Sequence, residues 1–321
     1  MKNYNFLDKI LHQIIFIFPS INKFLFTIET FLYHKKNKHF NHIFITGLPR
    51  SGTTLILNFI YESNKFFSLK YCDMPFILSP KINSIFRYKK REINPIKRAH
   101  GDEIYNDLNS PEAFDEVLIN LYKDKKFIQK YKIFIENILN SFNVERYLSK
   151  NNLNFMRLEV LSAAFNESFI VIPFRDPIHQ SHSLLNQHIK FLNLQKKDKF
   201  ILRYMNYLRH NEFGLSHECW IKPKLHTDST TQNYWLEQYY LCYQKILHDI
   251  KRLKNKKILL INYDKFAREK QYRNRLENIL NIKTKFNNIK YRNQQKLTFC
   301  LDKNLVKEAT IVYKELIRLS N

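Results

Sequence analysis

Along the first forty residues apolar side chains recur at helical spacing: Leu7, Ile10, Leu11, Ile14 and Ile15, then a break at Pro19-Ser20, then a second helix from about Ile21 to Tyr33. At His42 the pattern changes. Ile43-Phe44-Ile45 is a short continuous apolar run closed by Thr46-Gly47, the form of a buried strand, and a helix follows from Thr53-Thr54 to about Ser63. Phe67 to Tyr71 reads as a second short strand. Ser110-Pro111-Glu112 reads as a helix start, with Ser110 as cap, Pro111 at the first helical position and Glu112, Asp115 and Glu116 at the positive end. Lys123 to Tyr147 is a long amphipathic helix or pair, and Phe155 to Glu159 a strand or strand end. Phe169 to Phe174 is a buried strand running into a helix that Asp176-Pro177 begins. Leu236–Leu253 is helical, Ile258–Asn262 a strand, Phe266–Leu280 a helix and Leu301–Leu319 a final amphipathic helix. Strands alternating with helices predict an α/β fold, with a central mainly parallel sheet between layers of helices. Residues 1–40 form an N-terminal helical extension and residues 41–321 one domain.

The chain has only four glycines, and two of them, Gly47 and Gly52, bracket the loop after the first strand. Glycine serves where backbone turns sharply or approaches a ligand. A strand, such a loop and a helix N-terminus make an anion site, because the first helical turn presents N–H groups and the positive dipole end. Pro49, Arg50 and Ser51 fill the loop. Arg50 adds a guanidinium suited to phosphate oxygens, and Thr53 and Thr54 add hydroxyls. The triphosphate-binding pattern G-x-x-x-x-G-K-[ST] keeps this glycine spacing but demands a lysine where Thr53 stands. The cation lies three residues earlier, which argues against a γ-phosphate and for a shorter anion such as a 5′-phosphosulfate.

A second constellation follows the Phe169–Phe174 strand. Arg175 sits at the strand end and Ser183 on the second turn of the next helix, both directed to the carboxyl edge of the sheet as a second phosphate clamp. The competing account of Arg175 is an ion pair with Asp176. Asp73, just past the Phe67–Tyr71 strand, is a candidate general base and equally a turn or cap aspartate before Pro75. His100, in the proton-transferring stretch Arg98-Ala99-His100-Gly101-Asp102-Glu103, is the second candidate.

Lys and Arg number 53 and Asp and Glu 29, a net charge of +24. Such charge suits nucleic acid, an anionic membrane or an acidic ligand. The lysines are scattered and no nucleic-acid motif is present, so no nucleic-acid partner is expected. Cys72, Cys219, Cys242 and Cys300 have no metal-ligand spacing, so no metal is expected, and they read as reduced and buried, which points to the cytoplasm. The run Ile14–Phe18 falls short of the ~20 apolar residues of a membrane span. The N-terminal helices read either as a pair packed on the domain or as a peripheral membrane contact followed by the basic cluster His34–Lys38.

Leu48-Pro49-Arg50-Ser51-Gly52-Thr53-Thr54 resembles the 5′-phosphosulfate loop of sulfotransferases that use 3′-phosphoadenosine 5′-phosphosulfate (PAPS), and Arg175-Asp176-Pro177 with Ser183 resembles their 3′-phosphate motif. Trp235 to Tyr239 and Ile258 to Phe266 resemble the family's later helix and strand-and-turn, with Asn262 where an arginine is common. The similarity covers roughly residues 42 to 282. It implies a three-layer P-loop-like fold, PAPS as sulfuryl donor, and in-line transfer to a hydroxyl or amine without a metal. Arg50 would then stand at the leaving group, Pro49 to Thr54 on the 5′ side, Arg175 and Ser183 on the 3′-phosphate, and Asp73 or His100 as base. Arg157 lies where related enzymes carry a basic residue near the substrate. Residues 188–225, lysine-rich and aromatic, form a candidate lid or acceptor-binding insertion. A glycan or glycolipid is the favoured acceptor. The alternatives are a P-loop kinase or hydrolase, which predicts the missing lysine, and a basic binding module, which leaves both phosphate motifs unexplained.

Overall fold

The computed structural model describes residues 6–36, 40–86, 96–97, 105–122, 127–286 and 301–320. His100 and its neighbours from 98 to 104 lie outside the described residues, as does Cys300.

Four parallel strands form the central sheet: β1 (Phe40–Ile45), β4 (Leu148–Lys150), β5 (Glu167–Phe174) and β6 (Ile258–Asn262), in the order β4-β1-β5-β6. A separate antiparallel pair is made by β2 (Ile96–Lys97) and β3 (Tyr105–Asn106). The helices are α1 (Phe6–Ile17), α2 (Ser20–Tyr33), α3 (Thr53–Tyr61), α4 (Pro80–Phe86), α5 (Glu116–Leu121), α6 (Phe127–Phe142) and α7 (Leu158–Ala164). They continue with α8 (Pro177–Lys197), α9 (Lys199–Tyr207), α10 (Gln232–Leu253), α11 (Tyr263–Arg268), α12 (Lys270–Leu280) and α13 (Lys303–Ser320).

Alternation along the strands creates the layers, since successive side chains point to opposite faces. Ile43, Ile45, Val171 and Ile261 enter one core with Ile56 and Ile60 of α3 and Leu276 and Leu280 of α12. Phe44, Ile170, Ile172 and Leu260 enter the other, with Ile135 of α6, Leu184 of α8, Trp235 and Tyr239 of α10 and Leu316 of α13. Both faces are covered, which is why β1 and β5 read as continuous apolar runs.

The chain leaves β1 towards β4 on one side and leaves β5 towards β6 on the other. Neighbouring connections that part in this way open a crevice at the carboxyl ends of their strands, where α/β sheets bind ligands. The loop after β1 and the turn after β5 flank that crevice.

Four expectations are corrected. Phe67 to Tyr71 is not a strand. Phe67 and Lys70 make single bridges to Tyr147 and Pro111, and a 3-10 turn occupies Tyr71–Asp73. Phe155 to Glu159 is not a strand either, because Asn151 caps a 3-10 turn over Asn152–Arg157 that leads directly into α7. The helix expected from Ser110 begins at Glu116. The Ser110 hydroxyl turns back to Asp107 at 2.9 Å, so it does not cap forward. Cys219 is exposed and Cys72 half-buried, so of the described cysteines only Cys242 is buried.

Candidate active site

The loop after β1 begins in register, with Thr46 N–H donating to Val171 O at 2.9 Å. Gly47 then takes φ +116° and Gly52 φ +101°, left-handed values that favour glycine. Space also demands it: a Cβ on Gly52 would lie 2.5 Å from the Tyr263 ring. Arg50, without a glycine's freedom, is held at φ +68°. The Ser51 hydroxyl donates to Leu48 O at 2.7 Å and closes the turn, and buried Gln180 of α8 donates to Pro49 O at 3.1 Å. Gly52 is the N-cap of α3 and no side chain caps that helix, so its first turn points its N–H groups and dipole into the crevice.

The second constellation meets the first. Arg50 Nε donates to Ser183 Oγ at 2.9 Å. Arg175 is positioned from below: Tyr239 Oη donates to Arg175 O at 3.0 Å and Tyr243 Oη to Pro173 O at 3.1 Å. Burial pushes both phenols up, so they remain hydroxyl donors. Asp176 does not pair with Arg175. Its carboxylate caps α8, accepting from His179 N at 3.0 Å and pairing with the His179 ring at 2.8 Å. The Arg175 guanidinium instead sits 5.0 Å from the centroid of the Tyr263 ring, and its Nε is buried with no hydrogen-bond partner. A guanidinium packed on a ring with an unanswered donor is suited to an anion. Tyr263 thus touches both halves, lying against Gly52 and beneath Arg175.

Two residues here were not anticipated. Lys150, the last residue of β4, is buried and donates to Thr54 Oγ1 at 2.9 Å, placing a second cation at the N-terminus of α3. Glu112 pairs with Lys150 and also accepts from Tyr71 Oη at 3.0 Å and from Ala113 N–H at 3.0 Å. By composition Glu112 belongs to a helix start, but the helix begins at Glu116. The usable signal for Lys150 is Tyr147-Leu148-Ser149-Lys150, a short run ending in a cation beside a capping asparagine. Asp73 is buried at the end of its 3-10 turn, where its carboxylate accepts from Lys70 N–H at 2.8 Å. Among the described residues no group of three His, Cys, Asp or Glu side chains comes together as metal ligands would.

A cavity of about 340 Å³ opens past β4, lined among others by Glu116, Arg157, Arg209, Asn211, Glu218 and Trp220. It borders the loop region through consecutive residues: Asn152 O accepts from Thr46 Oγ1 at 3.3 Å, and Leu153 lines the cavity. Arg157 pairs with Glu116, which also accepts from Asn151 Nδ2 at 2.7 Å. Trp220 Nε1 and Asn211 Oδ1 are buried without hydrogen-bond partners.

This geometry joins two anion-directed motifs, in chain order, across one crevice. Residues 42–280, well over half of the chain, match the model of the sulfotransferase family. Among solved structures the chain is similar to sulfotransferase STF9 from Mycobacterium avium, at 11% identity over 95% of this chain and 72% of that one, with a TM-score of 0.48. It is also similar to a sulfotransferase from Alicyclobacillus acidocaldarius, at 13% identity over 89% of this chain and 95% of that one, with a TM-score of 0.43. No curated protein matches. Both anion motifs and the strands that carry them fall within the matched residues, and the chain belongs to the sulfotransferase family.

Proposed function

We propose that this sulfotransferase takes its sulfuryl group from PAPS and delivers it to a hydroxyl of a saccharide or saccharide-bearing lipid. The observation that carries the donor reading is the Arg50–Ser183 bond, which brings the 5′-side loop and the 3′-side motif to one place. The residues fit such a donor. The loop from Pro49 to Thr54 and the N-terminus of α3 suit the 5′-phosphosulfate, and Arg175, with its unanswered Nε, suits a 3′-phosphate beside Ser183. The bound donor supplies an activated sulfuryl group on a 5′-phosphate leaving group.

Arg50 and Lys150 hold positive charge where negative charge grows on that phosphate, and the N–H groups of α3 act in the same sense. The acceptor's proton goes to a carboxylate. Glu112 takes precedence over Asp73, because Lys150 ties Glu112 to Thr54 while the Asp73 carboxylate caps its own turn. His100 remains the imidazole candidate. The cavity past β4 is the acceptor's place. The side chains of Trp220 and Asn211 and the Arg157–Glu116 pair line it and offer the mixed polar groups and ring face that a polyhydroxylated molecule needs.

Thermal melts with 3′,5′-diphosphoadenosine and with Mg·ATP test the donor. The first should raise the melting temperature and the second should not. Equal stabilisation by Mg·ATP would overturn the reading. Trp220→Ala should raise the acceptor KM and leave the diphosphoadenosine shift intact.

A further inference from the structure

α1 is turned inside out. Every one of its exposed residues is apolar: Phe6, Leu7, Ile10, Leu11, Ile14 and Ile17. Its polar residues face the protein. Lys9 Nζ lies 5.8 Å from the centroid of the Phe200 ring on α9, His12 is buried beside Phe200 and Tyr204, and Gln13 Oε1 accepts from Arg203 Nη1 at 2.8 Å. The exposed apolar surface continues through Phe18 and onto α2 with Phe24, Phe31 and Leu32. Thus, among the described residues, 10 of the 19 exposed large apolar side chains fall between Phe6 and Leu32. Scattered singly they would need no explanation; gathered on two helices that touch each other they mark a contact surface.

We propose that α1 and α2 seat this enzyme on an anionic lipid bilayer, with their apolar faces at the level of the headgroups and upper acyl chains. The two helices do not make one straight span. Neither helix is long and apolar enough to cross, and the pair, which passes by composition only when joined, is bent by 94°. An amphipathic pair lying in the interface has no such requirement.

Charge selects the occupant. Lys23, Lys35 and Lys36 are exposed on and just after α2, and Lys196, Lys197, Lys199 and Arg203 are exposed at the end of α8 and on α9, the helix that α1 packs against. The only acids between residues 6 and 36 are Asp8 and Glu29, and Glu29 is fully buried. A second copy of the chain would oppose one cationic rim with another. Acidic headgroups complement it, and apolar insertion and electrostatic attraction then act together.

Vesicle flotation decides the matter. The protein should float with phosphatidylcholine vesicles containing phosphatidylglycerol, more weakly with phosphatidylcholine alone, and less as salt rises. Ile10→Glu with Ile14→Glu should weaken binding by roughly tenfold or more, since two exposed isoleucines that the bilayer would cover are lost. The melting temperature and the diphosphoadenosine shift should stay as in the parent. Lys196→Glu with Lys199→Glu should erase the preference for phosphatidylglycerol. Vesicle binding that the isoleucine changes leave intact, or that ignores headgroup charge, would refute the proposal. So would a concentration-dependent dimer that these changes dissolve in a protein that does not float.

Discussion

Arg50 and Ser183, 133 residues apart in the chain, meet through a 2.9 Å bond from the guanidinium Nε to the hydroxyl oxygen. The bond grips the guanidinium by its inner nitrogen, so Ser183 aims the charge that the loop carries. Arg50→Ala should lower transfer by roughly a hundredfold to a thousandfold, the usual effect of deleting a donor directed at developing charge. Ser183→Ala should cost about tenfold, the worth of one hydrogen bond to a charged group. If orientation is the role of Ser183, the double variant should be hardly worse than Arg50→Ala alone. Steady-state kinetics on all four proteins measure that coupling, and full additivity would show the two residues act separately.

Gly52 and Tyr263 give a second test. At Gly52 an added methyl meets both a left-handed φ of +101° and the Tyr263 ring at 2.5 Å. Gly52→Ala should lose about 2–3 kcal/mol of stability and abolish the diphosphoadenosine shift. Adding Tyr263→Ala relieves the collision but not the backbone strain. It should restore part of the melting temperature while donor binding stays weak, because the ring beneath Arg175 is gone.

The parts of the fold legible in the sequence are those whose cause is local. β1, β5 and β6 lie inside the sheet or are buried on both faces, so each is a continuous apolar run, and β6 spans the expected Ile258–Asn262. The glycine-bracketed loop is legible because few residues tolerate positive φ. β4 is not, because three residues at the sheet edge carry no periodicity, and the apolar cluster at Phe155 packs from a 3-10 turn instead. Ser110-Pro111 has the composition of a helix start, yet Pro111 bridges to Lys70 and the helix begins only at Glu116. Lys150 and Glu112 are brought together only by that tertiary arrangement. The periodicity of α1 likewise reveals an apolar face but not that the face looks outward.

The Lys150–Glu112 pair is buried on both sides, so removing one partner strands the other. Lys150→Ala should destabilise the fold by about 3–5 kcal/mol and abolish turnover. Glu112→Gln keeps the shape and an oxygen for Lys150 but removes its countercharge, so it should fold with a clear loss of stability, smaller than that of Lys150→Ala. If Glu112 accepts the acceptor's proton, its kcat should fall and the acidic limb of the pH–rate profile should vanish. Asp73→Asn should weaken its 3-10 turn and leave that limb in place. The reverse pattern would transfer the role to Asp73.

Glu29 couples pH to the seating of α2. Its side chain is fully buried, its Oε2 accepts from Ile82 N–H at 2.8 Å on α4, and burial pushes its carboxyl up from 4.5 to about 7. The folded protein therefore holds a proton that the unfolded chain releases at lower pH. The stability this confers is complete below pH 4.5 and is lost as pH rises through about 7, leaving the charged form about 3 kcal/mol less favourable. Glu29→Gln removes the titration and keeps one carbonyl oxygen for Ile82. Between about pH 5 and about pH 8 the parent should lose stability that the variant retains, so that the variant melts higher at the alkaline end. Urea unfolding across that range reads the difference, and parallel curves for the two proteins would mean that another group carries the pH dependence.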